Sequence, residues 1–165
     1  MAKRRVRRGP QKGDFEDPLK NYSPPEDADE FEQSLIEGKV RDLKIEPFMA
    51  VEPTMSVVEV LQRMAELDIA CVLIVENERL RGIFSERDVL TKVVDRFAQI
   101  KDRPVQEVMT SDPAVVHRTD SPAKAINVMA VSGFRHVPIL NVDDKVVGVL
   151  GPRRITTYLR NFFED

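Results

Sequence analysis

The chain has 165 residues, 42% of them hydrophobic and 32% charged, and its 25 Lys and Arg against 28 Asp and Glu leave a formal net charge of -3. This length and apolar content suit one ordinary domain or two small ones with a core of their own. A single cysteine excludes an internal disulfide framework, and no apolar run is long enough for a transmembrane helix or a secretory signal, so we expect a cytoplasmic protein.

Residues 1–25 are predicted to form a disordered charged tail. Basic residues open this segment, acidic residues follow, and the prolines and glycines among them leave too little apolar surface to offset the entropy of ordering. A handful of exposed cations gives only weak, salt-sensitive contact with nucleic acid, so we do not expect nucleic acid as a partner. We expect residues 26–39 to form a short helix and a linker, since acidic residues begin the helix and Phe31, Leu35 and Ile36 share one face.

An internal repeat organises the chain after residue 40. A shift of 65 residues places Met64 on Met129, and after one extra residue in a turn a shift of 66 places Gly82 on Gly148. A unit of this length that occurs twice indicates a duplicated domain rather than a solenoid. The predicted division is a first repeat over 40–98, a linker over 99–104 and a second repeat over 105–163.

The first repeat is predicted to run strand, helix, strand, strand, helix. Ser56 followed three residues later by Glu59 is a capping box, and the apolar spacing behind it indicates an amphipathic helix. Cys71 lies in a continuous apolar run typical of a buried strand, so we interpret it as a core residue. The predicted elements are a strand over 49–51, a helix over 57–67, strands over 71–75 and 80–84, and a helix over 86–97.

The second repeat is predicted to follow the same order. Gly133 suits the end of its first helix, because glycine readily adopts the left-handed conformation found there. The predicted elements are a strand over 114–116, a helix over 122–132, strands over 136–140 and 146–150, and a helix over 152–162. Neither three-stranded unit has a large core alone, so we expect the two sheets to pack face to face.

The residues after the third strand of the first repeat carry candidate binding chemistry. Ser85 is a natural helix N-cap, and free backbone N–H groups at such a start form an anion site. Arg87 adds a cation, and Asp88 can accept two hydrogen bonds from vicinal hydroxyls. Phosphate donors beside a diol acceptor are what a ribonucleotide requires, although the same residues also suit an ordinary capped helix.

The segment Gly82-Ile83-Phe84-Ser85-Glu86-Arg87-Asp88 resembles the glycine–apolar–apolar–Ser/Thr–x–x–Asp signature of CBS domains. Residues 134–139 and 108–113 resemble two further segments of that family. The resemblance covers about residues 40–163, and two tandem CBS domains form a Bateman module. It implies an α/β (α+β) fold of two β-α-β-β-α repeats with pseudo-twofold symmetry, which often pairs into a flat homodimer.

The resemblance also implies a nucleotide site between the repeats, because in Bateman modules the Ser/Thr–Asp loop of one repeat faces the first two strands of the other. Ser85 and Asp88 would hold the ribose and its phosphate, and Ile83 would pack on the base. The remaining implied residues would contact the base (Ala114, Val115), reach the phosphates (Arg87, Arg135, His136, Arg153) or line the pocket (Val137).

The second copy of the motif departs from this pattern. Arg154 stands where the first copy has Asp88, and arginine offers no acceptor to ribose hydroxyls. Gly151 replaces the serine, and Ala70 and Cys71 stand where the other cleft has its two phosphate cations. We therefore predict one nucleotide per chain rather than two.

No Ser–His–acid order, Walker-type loop or paired catalytic carboxylates are visible, and neither are metal ligands, so an enzyme is not expected. The predicted function is a non-catalytic regulatory sensor that binds an adenine nucleotide and passes its occupancy to an unknown partner protein. AMP, ADP and ATP are the expected ligands, with S-adenosylmethionine or NAD as alternatives. The competing hypothesis is a ligand-free dimeric scaffold that acts through its charged N-terminal tail.

Overall fold

The computed structural model describes residues 30–162. The predicted tail, the first residues of the predicted helix and linker over 26–39, and the last residue of the predicted second repeat lie outside it. Helix α1 covers Glu30–Glu37. It packs on the second repeat, where the Tyr158 hydroxyl donates to the Ser34 carbonyl oxygen at 3.2 Å and the ring centroids of Phe31 and Phe162 lie 5.9 Å apart. Within residues 30–162 no helix is long and apolar enough to cross a bilayer.

The first repeat has the predicted order of elements. The Ser56 hydroxyl accepts from the Glu59 N–H at 3.3 Å, and the Glu59 carboxylate accepts from the Ser56 N–H at 3.2 Å, which confirms the capping box. The elements are β1 (Ala50–Val51), α2 (Val57–Glu66), β2 (Cys71–Glu76), β3 (Arg79–Ser85), α3 (Glu86–Asp88), a π-helical turn (Val89–Val93), a 3-10 turn (Val94–Arg96) and α4 (Phe97–Ile100).

The closing helix predicted over 86–97 is therefore not one regular helix. Side chains here bond to backbone carbonyls that a regular helix would use. The Thr91 hydroxyl donates to the Arg87 carbonyl oxygen at 2.7 Å, and Arg96 Nε donates to the Lys92 carbonyl oxygen at 2.8 Å. Such side-chain bonds compete with the helical ladder, and the π turn places Lys92 against the start of the second repeat.

The second repeat contains one strand that was not predicted. Gly133 ends the first helix of this repeat with a φ of 66°, as expected for a left-handed cap. The elements are a 3-10 turn (Val105–Glu107), β4 (Thr110–Ser111), β5 (Val116–His117), α5 (Pro122–Ser132), β6 (Val137–Leu140), β7 (Val146–Leu150) and α6 (Pro152–Arg160).

Strand β4 joins the sheet of the first repeat, so the two sheets have four and three strands in the orders β1-β2-β3-β4 and β5-β6-β7. It pairs antiparallel with β3, with Gly82 opposite Ser111 and Ile83 opposite Thr110. A Cβ on Gly82 would lie 2.8 Å from the Thr110 carbonyl oxygen, so glycine permits this close approach. The exchange of a strand brings Thr110 next to the motif of the first repeat.

The two sheets pack face to face, as predicted. Each repeat has its own buried cluster, and a third cluster of Cys71, Leu73, Ile83 and Val149 joins the sheets. Burial raises the pKa of the Cys71 thiol to about 12, which suits a core side chain rather than a reactive thiolate.

The two hairpin turns show the pseudo-twofold symmetry most directly. Lys145 Nζ lies 2.7 Å from the Glu78 carboxylate, and Arg79 Nη1 lies 3.4 Å from the Asp144 carboxylate. The shift of 66 residues converts each pair into the other, because it exchanges the acidic and the basic position of the two hairpins. The turns therefore hold each other reciprocally across the pseudo-dyad.

Candidate functional site

One cavity of about 460 Å³ lies between the repeats, on the side where β3 and α3 face the end of α5. Six of the ten predicted site residues line it: Ile83, Ser85, Arg87, Asp88, Arg135 and His136. The other lining residues are Ala70, Glu86, Leu90, Thr91, Thr110, Gly133 and Phe134. Residues that are far apart in sequence are thus brought to one concave site.

The other four predicted residues lie outside the cavity lining. Ala114 and Val137 are buried in the core cluster of the second repeat. Val115 is half-buried and precedes β5, and Arg153 is exposed in the first turn of α6. Strand alternation explains the position of Val137 in β6, because a side chain that points inward from a sheet cannot also face a surface cleft.

Asp88 is the buried anchor of the cavity, with 6% of its surface exposed. Its Oδ2 accepts from the backbone N–H of Ser85 at 2.9 Å and from the Ser85 hydroxyl at 2.8 Å. Its Oδ1 accepts from the Thr110 hydroxyl at 2.8 Å and forms an ion pair with Lys92 Nζ at 2.6 Å. A buried carboxylate needs such partners, and here they come from both repeats.

The start of α3 offers less to an anion than the motif suggested. The Ser85 N–H donates to Asp88, and the Glu86 N–H donates to the Ala70 carbonyl oxygen at 3.0 Å. Neither backbone donor is therefore free, and α3 itself has only three residues. An anion in this cavity would depend mainly on side-chain cations.

Those cations come from both sides of the cleft. Arg87 Nη1 donates to the Gly133 carbonyl oxygen at 3.0 Å, so this side chain spans from one repeat to the other. Arg135 is exposed in the lining, and burial lowers the pKa of the neighbouring His136, partly offset by the charge of Glu86. This lowering of the pKa favours the neutral imidazole in the free protein.

His136 also explains the glycine in the second copy of the motif. A Cβ on Gly151 would lie 2.7 Å from His136 Cδ2 and 2.9 Å from Nε2, closer than real Cβ contacts. The imidazole therefore occupies the space that a serine would need at that position. Glycine therefore lies against the imidazole on this side of the dyad, whereas on the other side Ser85 lies opposite Cys71 in the sheet.

Arg154 stands in the symmetry-related motif at the position of Asp88. Its guanidinium donates to the carbonyl oxygen of Val149 at 2.6 Å and to those of Ile45 and Pro47. Burial lowers the pKa of this side chain, and its three backbone partners hold it in place. Arg154 thus connects the second motif to the chain that enters the first repeat, in the place where the other cleft is open.

Sequence reasoning missed Thr110 and Lys92. Thr110 lines the cavity because β4 crosses to the other sheet, and a two-residue strand leaves no periodic signal. Lys92 follows Asp88 by four residues, the spacing of a helical ion pair, and that spacing was the available clue. Among residues 30–162, no three His, Cys, Asp or Glu side chains are grouped as metal ligands.

The sequence matches the CBS domain family over residues 40–95 and 105–161, more than half of the chain. The chain belongs to the CBS domain family. A CBS domain-containing protein of Arabidopsis thaliana, CBSCBSPB1, is 29% identical over 115 residues, which is 69% of this chain and only 21% of that protein.

Solved CBS domain structures share the fold. The structure of the CBS domain NE2398 is 30% identical with a TM-score of 0.67, over 73% of this chain and 95% of that one. The CBS domain protein PAE2072 from Pyrobaculum aerophilum, solved in complex with AMP, is 26% identical with a TM-score of 0.65, over 74% of this chain and 98% of that one.

Proposed function

We propose that this CBS pair is a non-catalytic regulatory module that binds one adenine nucleotide in the inter-repeat cavity. The observation that carries the proposal is Asp88, a buried carboxylate at the wall of an open cavity, bonded by hydroxyls from both repeats. The cavity volume of about 460 Å³ is within the usual range for small-molecule sites. The AMP complex of the Pyrobaculum aerophilum relative supports the choice of ligand class.

In this proposal the ribose lies at Asp88 and the phosphate lies toward Arg87, Arg135 and His136. Ile83, whose side chain is buried beside β4, offers an apolar surface to the base. The phosphate would compete with the Gly133 carbonyl oxygen for Arg87, which now connects the repeats. A ligand that changes this contact has different affinities for two arrangements of the repeats, and that difference is what a sensor can pass to a partner protein.

The proposal includes one nucleotide per chain. Arg154 takes the place of Asp88 in the second motif and has no acceptor for a diol. Because its guanidinium bonds to carbonyl oxygens on two separate segments, a nucleotide there would have to displace several charge-assisted hydrogen bonds at once. We therefore expect a stoichiometry of one AMP per chain.

Calorimetry with AMP, ADP, ATP, NAD and S-adenosylmethionine tests this proposal. Asp88→Asn keeps the shape of the side chain but removes its charge, and should weaken nucleotide binding at least tenfold, the factor expected for one charge-assisted hydrogen bond. Asp95→Asn, an exposed position on the same helical segment, is the matched control and should bind as the wild type does. Absence of binding to any of these nucleotides would contradict the proposal and favour a scaffold that acts through the N-terminal tail.

We also propose that the protein pairs with a second copy through the helical segment over 86–100. Leu90, Val94 and Phe97 on this segment are 71%, 55% and 40% exposed. The shift of 66 residues places Thr156 and Arg160 where Leu90 and Val94 stand, so the apolar side chains at these two positions belong to the first repeat alone. Leu90 also lines the cavity, which places the proposed dimer face beside the ligand site.

Sedimentation velocity tests the dimer. Val94→Glu should convert a wild-type dimer to a monomer, because it buries a charge in an apolar contact. Val142→Glu, at an exposed position on a hairpin turn, is the control and should stay dimeric. A dimer that tolerates the change at Val94 uses another face, and a monomeric wild type would end the dimer proposal.

A further inference from the structure

The ammonium group of Lys92 lies at the junction of the two repeats, directly behind Asp88. It donates to the Met109 carbonyl oxygen at 3.1 Å and to the Thr110 hydroxyl oxygen at 3.2 Å, and it lies 2.6 Å from Asp88 Oδ1. A lysine has three donors, and here all three have an acceptor. The group therefore orients a carboxylate of the first repeat and a hydroxyl of the second at the same time.

Asp88 has no acceptor position left for a ligand. A carboxylate offers about four lone-pair sites, and the Ser85 N–H, the Ser85 hydroxyl, the Thr110 hydroxyl and Lys92 occupy four. A ribose diol must therefore replace two of these donors. The two neutral hydroxyls are the ones to leave, because the ammonium bond is charge-assisted and the backbone N–H cannot rotate away.

We propose that Lys92 is a positioning residue for ribose recognition, an inference that rests on the proposed function. While the diol displaces the hydroxyls of Ser85 and Thr110, Lys92 keeps Asp88 Oδ1 and the start of β4 in place. One displaced hydroxyl belongs to each repeat. An intact diol therefore replaces a hydrogen bond that connects the two repeats. A deoxyribose, with one hydroxyl fewer, replaces only one of them.

The internal repeat supports this role. By the shift of 66 residues, the second copy has Arg154 in the place of Asp88 and Tyr158 in the place of Lys92. The Tyr158 hydroxyl donates to the Ser34 carbonyl oxygen on α1. The first repeat therefore has both the carboxylate and the lysine, and the second repeat has neither.

The chain supplies a matched control pair. Lys124 Nζ lies 2.9 Å from Asp120 Oδ1, also four residues apart, and these side chains are 25% and 18% exposed. Neither residue lines the cavity. Lys124→Met therefore removes the same kind of ion pair without touching the ligand site.

The test is calorimetric affinity of the full chain for AMP, 2′-deoxy-AMP and 3′-deoxy-AMP. The wild type should prefer AMP to either deoxy nucleotide by about tenfold, the effect of one hydrogen bond to a charged group. Lys92→Met should weaken AMP binding by about tenfold and the deoxy nucleotides by much less, so the preference collapses. Lys92→Arg should retain most of the preference, and Lys124→Met should leave it unchanged.

Equal weakening for all three nucleotides would show that Lys92 is only structural and would overturn the inference. Wild-type binding of AMP without any preference would also overturn it, while leaving the proposed function standing. If the wild type binds none of the nucleotides, the proposed function is wrong and the role of Lys92 is wrong with it. Should Lys92→Met fail to fold in a thermal melt, Lys92→Gln is measured in its place, because glutamine keeps two donors without the charge. The ratio of its affinities for AMP and for the deoxy nucleotides then decides between these outcomes.

Discussion

Gly151 allows a direct test of why the second motif lacks its serine. The backbone there is extended, with φ -131° and ψ 170°, so an alanine would meet no backbone strain. Its Cβ would instead lie 2.7 Å from Cδ2 of the His136 ring. Crowding of this kind costs about 1–3 kcal/mol, whereas removal of a glycine from the unfolded chain returns about 0.4–1 kcal/mol. We expect Gly151→Ala to destabilise the protein by about 1–2 kcal/mol.

Denaturant unfolding of a double-mutant cycle isolates this contact. The four proteins are the wild type, Gly151→Ala, His136→Ala and the double variant. Once the ring is removed, alanine at position 151 should be neutral or stabilising, so the coupling energy should be about 1–2 kcal/mol. Gly133→Ala is the control, because a Cβ there meets nothing within 4 Å and costs stability only through the φ of 66°.

Two results would refute the steric argument. The first is a Gly151→Ala variant as stable as the wild type, which would mean that the imidazole moves aside freely. The second is additivity with His136→Ala, which would mean that the cost comes from another contact. The effect of Gly133→Ala should be independent of His136 in either case.

Three further predictions concern charge. Burial lowers the pKa of His136 below its ordinary value near 6.5, so as the pH falls the unfolded chain binds that proton before the folded protein does. The free energy of unfolding should therefore fall as the pH drops from 7 through 6.5, and His136→Gln should flatten this fall in pH-dependent urea melts. Arg154→Met should lower the unfolding free energy by about 1–3 kcal/mol, since it leaves carbonyl oxygens unpaired. It should not add a second AMP in calorimetry, because methionine supplies no acceptor for the ribose diol; two nucleotides bound to this variant would show that the missing acceptor is not what excludes a second ligand. Reversing the exposed pair Glu78 and Lys145 together should recover stability that each single reversal loses, with a coupling of about 0.2–1 kcal/mol that fades at high salt.

The order of elements could be predicted because it depends on local signals, whereas the placement of Arg135 beside Ser85 and Asp88 was implied only by the resemblance to CBS domains. Capping, turn residues and apolar runs act over a few residues, and the repeat makes each signal appear twice. The pairing of β4 with β3 could not be predicted in this way. It depends on the close approach of Met109 and Thr110 to Gly82, a contact between distant parts of the chain.

The donors at the start of α3 show the second limit of sequence reasoning. A motif indicates that a backbone N–H exists, but only the tertiary structure determines what accepts its hydrogen bond. The Ala70 carbonyl oxygen takes the Glu86 N–H, and Asp88 takes that of Ser85. The phosphate end of the proposed site therefore shifts from backbone donors to Arg87 and Arg135, which is a different electrostatic requirement from the one that the motif alone implied.

The two clefts differ in a correlated way that a ligand-free packing module would not need. On one side Cys71 lies opposite Ser85 in the sheet, and an open cavity lies beside Asp88. On the other, His136 fills the space over Gly151, and Arg154 holds the backbone of two segments together. The imidazole of His136, which lines the open cavity, occupies the space that a serine side chain would need at position 151. The presence of glycine in the second motif and of the imidazole in the first cleft are therefore linked. The asymmetry is therefore one structural arrangement, in which Arg154 bonds to neighbouring backbone in the second motif and His136, packed over Gly151, completes the wall of the open cleft.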